Sequence, residues 1–181
     1  MWIDYARPDR QILGPTEQAR DVVKEVQMLL PIAPFSRPWS SDYSKKEVTA
    51  TEAELAKYAS NVFGYIKVIY GNILADICAS MGIEYENVRE MISADPRIGP
   101  SWLNVDHGNY CGAGGYCFPK DMNALIEFME KNVASKYKEG IAVLKAVRTY
   151  NRSLLKKQNL SEDIVSRHDR EINVKKRKIN R

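Results

Sequence analysis

Gly112-Ala113-Gly114-Gly115-Tyr116-Cys117-Phe118-Pro119-Lys120-Asp121 sets a thiol at the end of a glycine-rich stretch and just ahead of a helical pattern. Pro119 fits the first helical position, where its missing N–H costs nothing. Asp121 fits the first turn, and Ala124, Leu125, Ile126 and Phe128 supply an apolar face beyond it. Cys117 would then stand at the positive end of a helix dipole beside Lys120, and both favour thiolate over thiol. The glycines would let backbone or ligand approach the sulfur. These are the parts of a nucleophilic cysteine. The same residues also fit a plainer role: a free cysteine is commonly a small core hydrophobe, Asp121 a dipole-matched helix residue and Lys120 a solvated charge.

Other elements must hold that stretch in place. Thr51 with Glu54 makes a capping box, and Thr49 with Glu52 offers a second start. An apolar run follows through Val62, Phe63, Ile66, Val68, Ile69, Ile73, Leu74 and Ile77, with Gly82 as a stop. This predicts a central helix over Thr51 to Met81, roughly 45 Å long at 1.5 Å per residue. Gly64 and Gly71 inside it cost roughly 1 kcal/mol each against alanine, which predicts close packing against them. Lys57 and Asn61 share one face of this helix. Further helices are predicted near Tyr85 to Ile92, Lys120 to Lys131 and Tyr137 to Lys157. Between the first two of these, Asp95-Pro96-Arg97-Ile98-Gly99 reads as a turn whose arginine could grip a phosphate or a hydroxyl pair. Upstream, Pro8 to Gly14 reads as a short strand, and Thr16 as the cap of a helix running to Leu29. Pro31 to Ser44 reads as a connection with one strand near Ile32 to Phe35. The fold class expected is mainly α, with a small α/β remnant at the N-terminus.

Composition is that of an ordinary cytoplasmic domain, with 181 residues, 44% hydrophobic and 28% charged. The net charge is +4, and the excess gathers in Arg167 to Arg181. Such a run reads as a solvated, disordered tail rather than as a nucleic-acid contact. Cys111 and Cys117 do not match a zinc pattern, and His107 and His168 are isolated, so no metal is expected. No signal peptide is expected, and no apolar run is expected to span a bilayer.

G-x-G-G-x-C-F-P-K-D resembles the active-site signature of the UDP-glucose/GDP-mannose dehydrogenase family, in the form of its UDP-glucose branch. Thr51 to Asn61 resembles the family's T-x-E-x-x-K-x-x-x-N segment, Asp95 to Gly99 its D-x-R-I-G element, and Ala146 to Asn151 its late helix. That helix usually carries Val-Asn where Tyr150 and Asn151 stand. The resemblance implies two successive NAD-dependent oxidations of UDP-glucose to UDP-glucuronate through a cysteine thioester. It makes Cys117 the nucleophile and Asp121 the residue that positions or activates the hydrolytic water. Lys57 and Asn61 would stabilise the oxyanion. Gly114, Gly115, Lys120 and Arg97 would serve the nucleotide sugar.

The resemblance covers about residues 5 to 160, the middle third of a longer enzyme. No G-x-G-x-x-G follows a strand, so NAD is implied with no binding site for it in this chain. The expected organisation is a nucleotide-binding remnant over 1–48, a central helical domain over 49–160 and the basic tail over 161–181. The expected partners are a second copy of the chain, a UDP-sugar and a separate chain that carries the nucleotide-binding parts, with neither membrane nor nucleic acid among them. Two other readings stay open. One is a non-catalytic helical dimerisation protein derived from the family. The other is a cysteine-dependent acyl-transfer enzyme, which needs a histidine beside Cys117.

Overall fold

A computed structural model describes residues 6–31, 33, 35–37, 48–106 and 109–166. The run Arg167 to Arg181 and both histidines lie outside the described residues. The chain separates into two compact units, Met1–Ala59 and Ser60–Arg181.

In the first unit, β1 (Arg10–Ile12) pairs in parallel with β2 (Phe35–Arg37), with Arg10 opposite Phe35. Parallel pairing needs a long crossover. Here it runs through a 3₁₀ segment (Glu17–Val22) and helix α1 (Val23–Met28). This is the expected α/β remnant, with two differences. Thr16 stands at the N-terminal boundary but makes no side-chain cap, and the first half of the crossover is 3₁₀ rather than α. With no cap for the first N–H groups, tight three-residue bonds such as Ala19 N–H to the Thr16 carbonyl satisfy them instead. Of the strand expected near Ile32 to Phe35, Ile32 and Pro34 lie outside the described residues, and the described pairing covers Phe35–Arg37.

Helix α2 (Ala50–Met81) is the long central helix. Its cap is the second of the two candidates. Thr49 N–H donates to Glu52 Oε2 at 2.7 Å, and Glu52 N–H donates back to Thr49 Oγ1 at 3.2 Å. At the far end Gly82 takes φ +67°. Ile83 N–H reaches the Cys78 carbonyl at 3.0 Å and Gly82 N–H the Ala79 carbonyl at 3.2 Å, a Schellman stop. By length and composition this helix could cross a membrane, which corrects the expectation that no run could, but half of its most apolar window is buried in the protein.

The core of the second unit forms where α2 meets α4 (Cys117–Asn132) and α5 (Lys138–Lys157). Tyr65, Val68 and Ile69 pack with Met122, Ile126 and Ala113, and Leu144 and Val147 close over them. Helix α3 (Tyr85–Ser93) follows α2 directly. A last short helix, α6 (Glu162–Val165), lies in the segment assigned from sequence to the tail. It is folded: Val165 is fully buried with Tyr110 and Leu155, so the packed helical domain extends beyond 160.

Both helical glycines of α2 are approached closely. A Cβ at Gly71 would lie 3.1 Å from the Leu103 carbonyl oxygen, and one at Gly64 would lie 2.6 Å from Phe118 Cζ. The Phe118 ring is itself braced edge-on by Trp102, with centroids 5.9 Å apart. Gly64→Ala should therefore lower stability by about 1–3 kcal/mol from overpacking, against a helix-propensity gain of about 1 kcal/mol. Urea unfolding checks this, and a variant more stable than wild type would show that the approach is not tight.

Candidate active site

Helix α4 starts at Cys117, two residues earlier than the proline suggested, because Tyr116 already has helical φ −64° and ψ −39°. Pro119 is then the third helical residue. Its missing N–H still belongs to the first turn, where backbone donors have no helical partner, so it costs nothing. Asp121 moves out of the first turn and turns inward. It is fully buried, and Asn61 Nδ2 donates to its Oδ2 at 2.5 Å. Lys120 Nζ ion-pairs with the other carboxylate oxygen while its side chain stays 43% exposed. Cys117 is exposed and stands one turn before Asp121 on the same helix. A buried carboxylate held by an amide and an ammonium thus sits one turn from an accessible thiol. Such a carboxylate can orient a water or accept a proton from it.

Lys57, one turn before Asn61 on α2, belongs to the first unit. There its Nζ lies 4.0 Å from Glu54 Oε1 and over the Tyr58 ring. Arg97 is joined to none of the other candidates by a described contact. Its guanidinium binds Asp95, with Nη2 2.6 Å from Oδ2, and its side chain is 88% exposed. The turn that carries it is fastened instead by Lys67, whose Nζ donates to the Ile98 carbonyl at 2.8 Å. Burial lowers the Lys67 pKa from its ordinary value.

The glycine loop is held by side chains the sequence did not single out for this purpose. Asn151 is fully buried. Its Oδ1 accepts from Ala113 N–H at 2.8 Å and its Nδ2 donates to the Ala113 carbonyl at 3.0 Å. Gln158 repeats the arrangement on Cys111, with both bonds at 2.8 Å. Gly115 N–H donates to the Val165 carbonyl at 2.8 Å. Gly112 has φ +112°, and a Cβ there would lie 2.8 Å from Asn151 Oδ1. A Cβ at Gly114 would lie 2.1 Å from the Tyr110 hydroxyl. These two glycines are required by the packing of the loop itself. Gly115, at φ +72° with open space around it, is free to face a ligand. A cavity of about 200 Å³ opens beside the loop, walled by Val68, Trp102, Tyr110 and Phe118. The signal for Asn151 was present in the sequence: it is a polar residue on the α5 face that also carries Ile141, Leu144 and Leu155.

The profile of the UDP-glucose/GDP-mannose dehydrogenase family, central domain, matches residues 51–153. The chain belongs to that family. UDP-glucose 6-dehydrogenase of Pseudomonas aeruginosa is 37% identical over 129 residues, covering 71% of this chain and 26% of that protein. UDP-glucose 6-dehydrogenase of Rickettsia bellii is 31% identical over 141 residues, covering 76% of this chain and 30% of that protein. The UDP-glucose dehydrogenase structure from Pyrobaculum islandicum is similar at a TM-score of 0.61 and 30% identity, over 87% of this chain and 34% of that one. The chain therefore spans about a quarter to a third of the length of these relatives and corresponds to a UDP-glucose dehydrogenase-like central domain.

The Asn61–Asp121 bond can be measured directly. In a double-mutant cycle with Asn61→Ala and Asp121→Ala, urea unfolding should give a coupling of about 1–2 kcal/mol, since the carboxylate is buried and the bond is charge-assisted. Strictly additive losses would show that the two side chains do not interact.

Proposed function

We propose that this domain carries the thiol chemistry of a nucleotide-sugar dehydrogenase, with Cys117 as the nucleophile toward a sugar aldehyde derived from UDP-glucose. The observation that carries the reading is the exposed Cys117 one helical turn from the buried Asp121, which Asn61 holds. The thiolate adds to the carbonyl carbon and the carbonyl electron pair moves to oxygen, giving a hemithioacetal oxyanion. Asn61 on α2 suits the stabilisation of that oxyanion. Asp121 is suited to hold the water that later hydrolyses a thioester. Lys120 and the open face at Gly115 are suited to the sugar, and Arg97 could reach a phosphate by exchanging Asp95 for it.

Removing hydride from the hemithioacetal requires NAD in this family, and the glycine loop does not fit a dinucleotide. Its Ala113 and Gly115 N–H groups, which a pyrophosphate would need, already donate to Asn151 and Val165. Loss of a positioned acceptor removes about 7–11 kcal/mol of catalysis. The purified chain with NAD and UDP-glucose should therefore give no absorbance rise at 340 nm. In the same preparation Cys117 should alkylate with iodoacetamide faster than Cys78, which is buried in α2. NADH formation abolished by Cys117→Ala would make the chain a self-sufficient enzyme. Equal alkylation of the two thiols would remove Cys117 as a nucleophile.

The partner in this reading is a second copy. Phe63, Tyr70 and Ile77 recur every seven residues along α2, all exposed, with Ile73 and Met81 beside them. A two-fold pairing of this stripe would cover it. Light scattering should give a dimer that Tyr70→Glu dissociates; a wild-type monomer at high micromolar concentration would count against the pairing.

A further inference from the structure

The carboxylate of Glu162 on α6 gathers donors from two other helices. Tyr65 Oη on α2 donates to its Oε1 at 3.1 Å, and Asn151 Nδ2 on α5 reaches the same oxygen at 3.5 Å. Arg152 Nε on α5 donates to Oε2 at 2.8 Å. Burial, and then the Glu162 charge, keep the Tyr65 phenol protonated well above the usual tyrosine range, so it remains a donor to this carboxylate. Both routes from α6 end on the glycine loop. One passes through Asn151 to the N–H and carbonyl of Ala113, the other through the Val165 carbonyl to the N–H of Gly115. Two residues later the chain enters α4 at Cys117.

We propose that Glu162 is a positioning residue for Cys117: by docking α6 and orienting Asn151, it fixes the backbone from which the thiol projects. The inference rests on Cys117 being the nucleophile. A four-residue helix cannot hold itself together, so the placement of α6 depends on Glu162 and on the buried Val165. A glycine-rich loop lacks side chains of its own to limit its motion. Reactive geometry is lost when a group drifts by about 1 Å.

The test compares Glu162→Ala and Glu162→Gln with wild type in the whole chain. Glutamine keeps the oxygen that faces Tyr65 and Asn151, and the half-exposed Arg152 can turn to water. Amide hydrogen exchange read by mass spectrometry should rise at least tenfold over Gly112 to Cys117 in Glu162→Ala, with the α2 core unchanged. Iodoacetamide alkylation of Cys117 should slow at least threefold in the same variant, and Glu162→Gln should lie within twofold of wild type on both. Unchanged exchange in the loop, or a rise spread equally over α2 and α5, would overturn the proposal. So would a loosened loop with Cys117 alkylating at the wild-type rate. If wild-type Cys117 reacts no faster than N-acetylcysteine, the nucleophile reading fails by itself, while the exchange data still decide whether Glu162 holds the loop.

Discussion

The amide of Asn151 faces one residue of the glycine loop in a site closed to water, and it satisfies both the N–H and the C=O of Ala113. A loop with three glycines around one alanine has little side-chain surface with which to choose a conformation. A helix-borne amide supplies the choice by offering the hydrogen bonds that a neighbouring strand would offer. Gln158, the residue that caps the C-terminal end of α5, does the same for Cys111. The pair treats a stretch of irregular backbone as an edge strand and holds it against the core without a sheet. Losing either amide would leave buried peptide groups unpaired, each at a cost of about 1–3 kcal/mol. The start of α4, with its exposed thiol, is therefore as well placed as α5 is rigid.

Helix α2 fixes the other side of the same region. Gly64, Lys67 and Gly71 lie along one face, and each meets the segment between Ile98 and Leu103 or the aromatic side chains beside it. The absence of side chains at the two glycines lets backbone and rings come close, and the lysine between them ties down two carbonyls. Trp102 is held at φ +63°, a conformation that costs a bulky residue of order 1–3 kcal/mol. Its ring contact with Phe118 and the nearby Lys67 ammonium help to offset that cost. Phe118 follows the cysteine directly, so the strained tryptophan also bears on the wall next to the thiol.

The helices and their order were legible because their signals are local. The capping box, the Schellman glycine and the apolar periodicity all act within a few residues of chain. What was not legible depends on partners far away in sequence. Thr49 and Thr51 offered equally good capping boxes, and nothing local chose between them. Spacing alone read Asp121 as a first-turn helix residue; only the family resemblance set it in one site with Asn61, sixty positions earlier, whose amide holds its carboxylate. Gly114 was assigned to ligand approach, whereas the Tyr110 hydroxyl already fills the space beside it. Arg97 was read as a ligand hand, and its nearest acid, Asp95, holds it in this structure. Helix α6 was missed because four residues carry no periodicity and its stability is wholly tertiary.

Of the three cysteines, Cys78 and Cys111 are sealed inside the second unit and Cys117 alone is exposed. The thiol–disulfide chemistry of the chain therefore passes through one sulfur. Air oxidation during purification has a single accessible target, and a covalent link between two copies would have to join Cys117 to Cys117. Such a species would migrate as a dimer on a non-reducing gel while blocking the group whose chemistry is of interest. Handling under a reductant thus decides whether a measured association reflects the apolar stripe of α2 or an accident of the thiol.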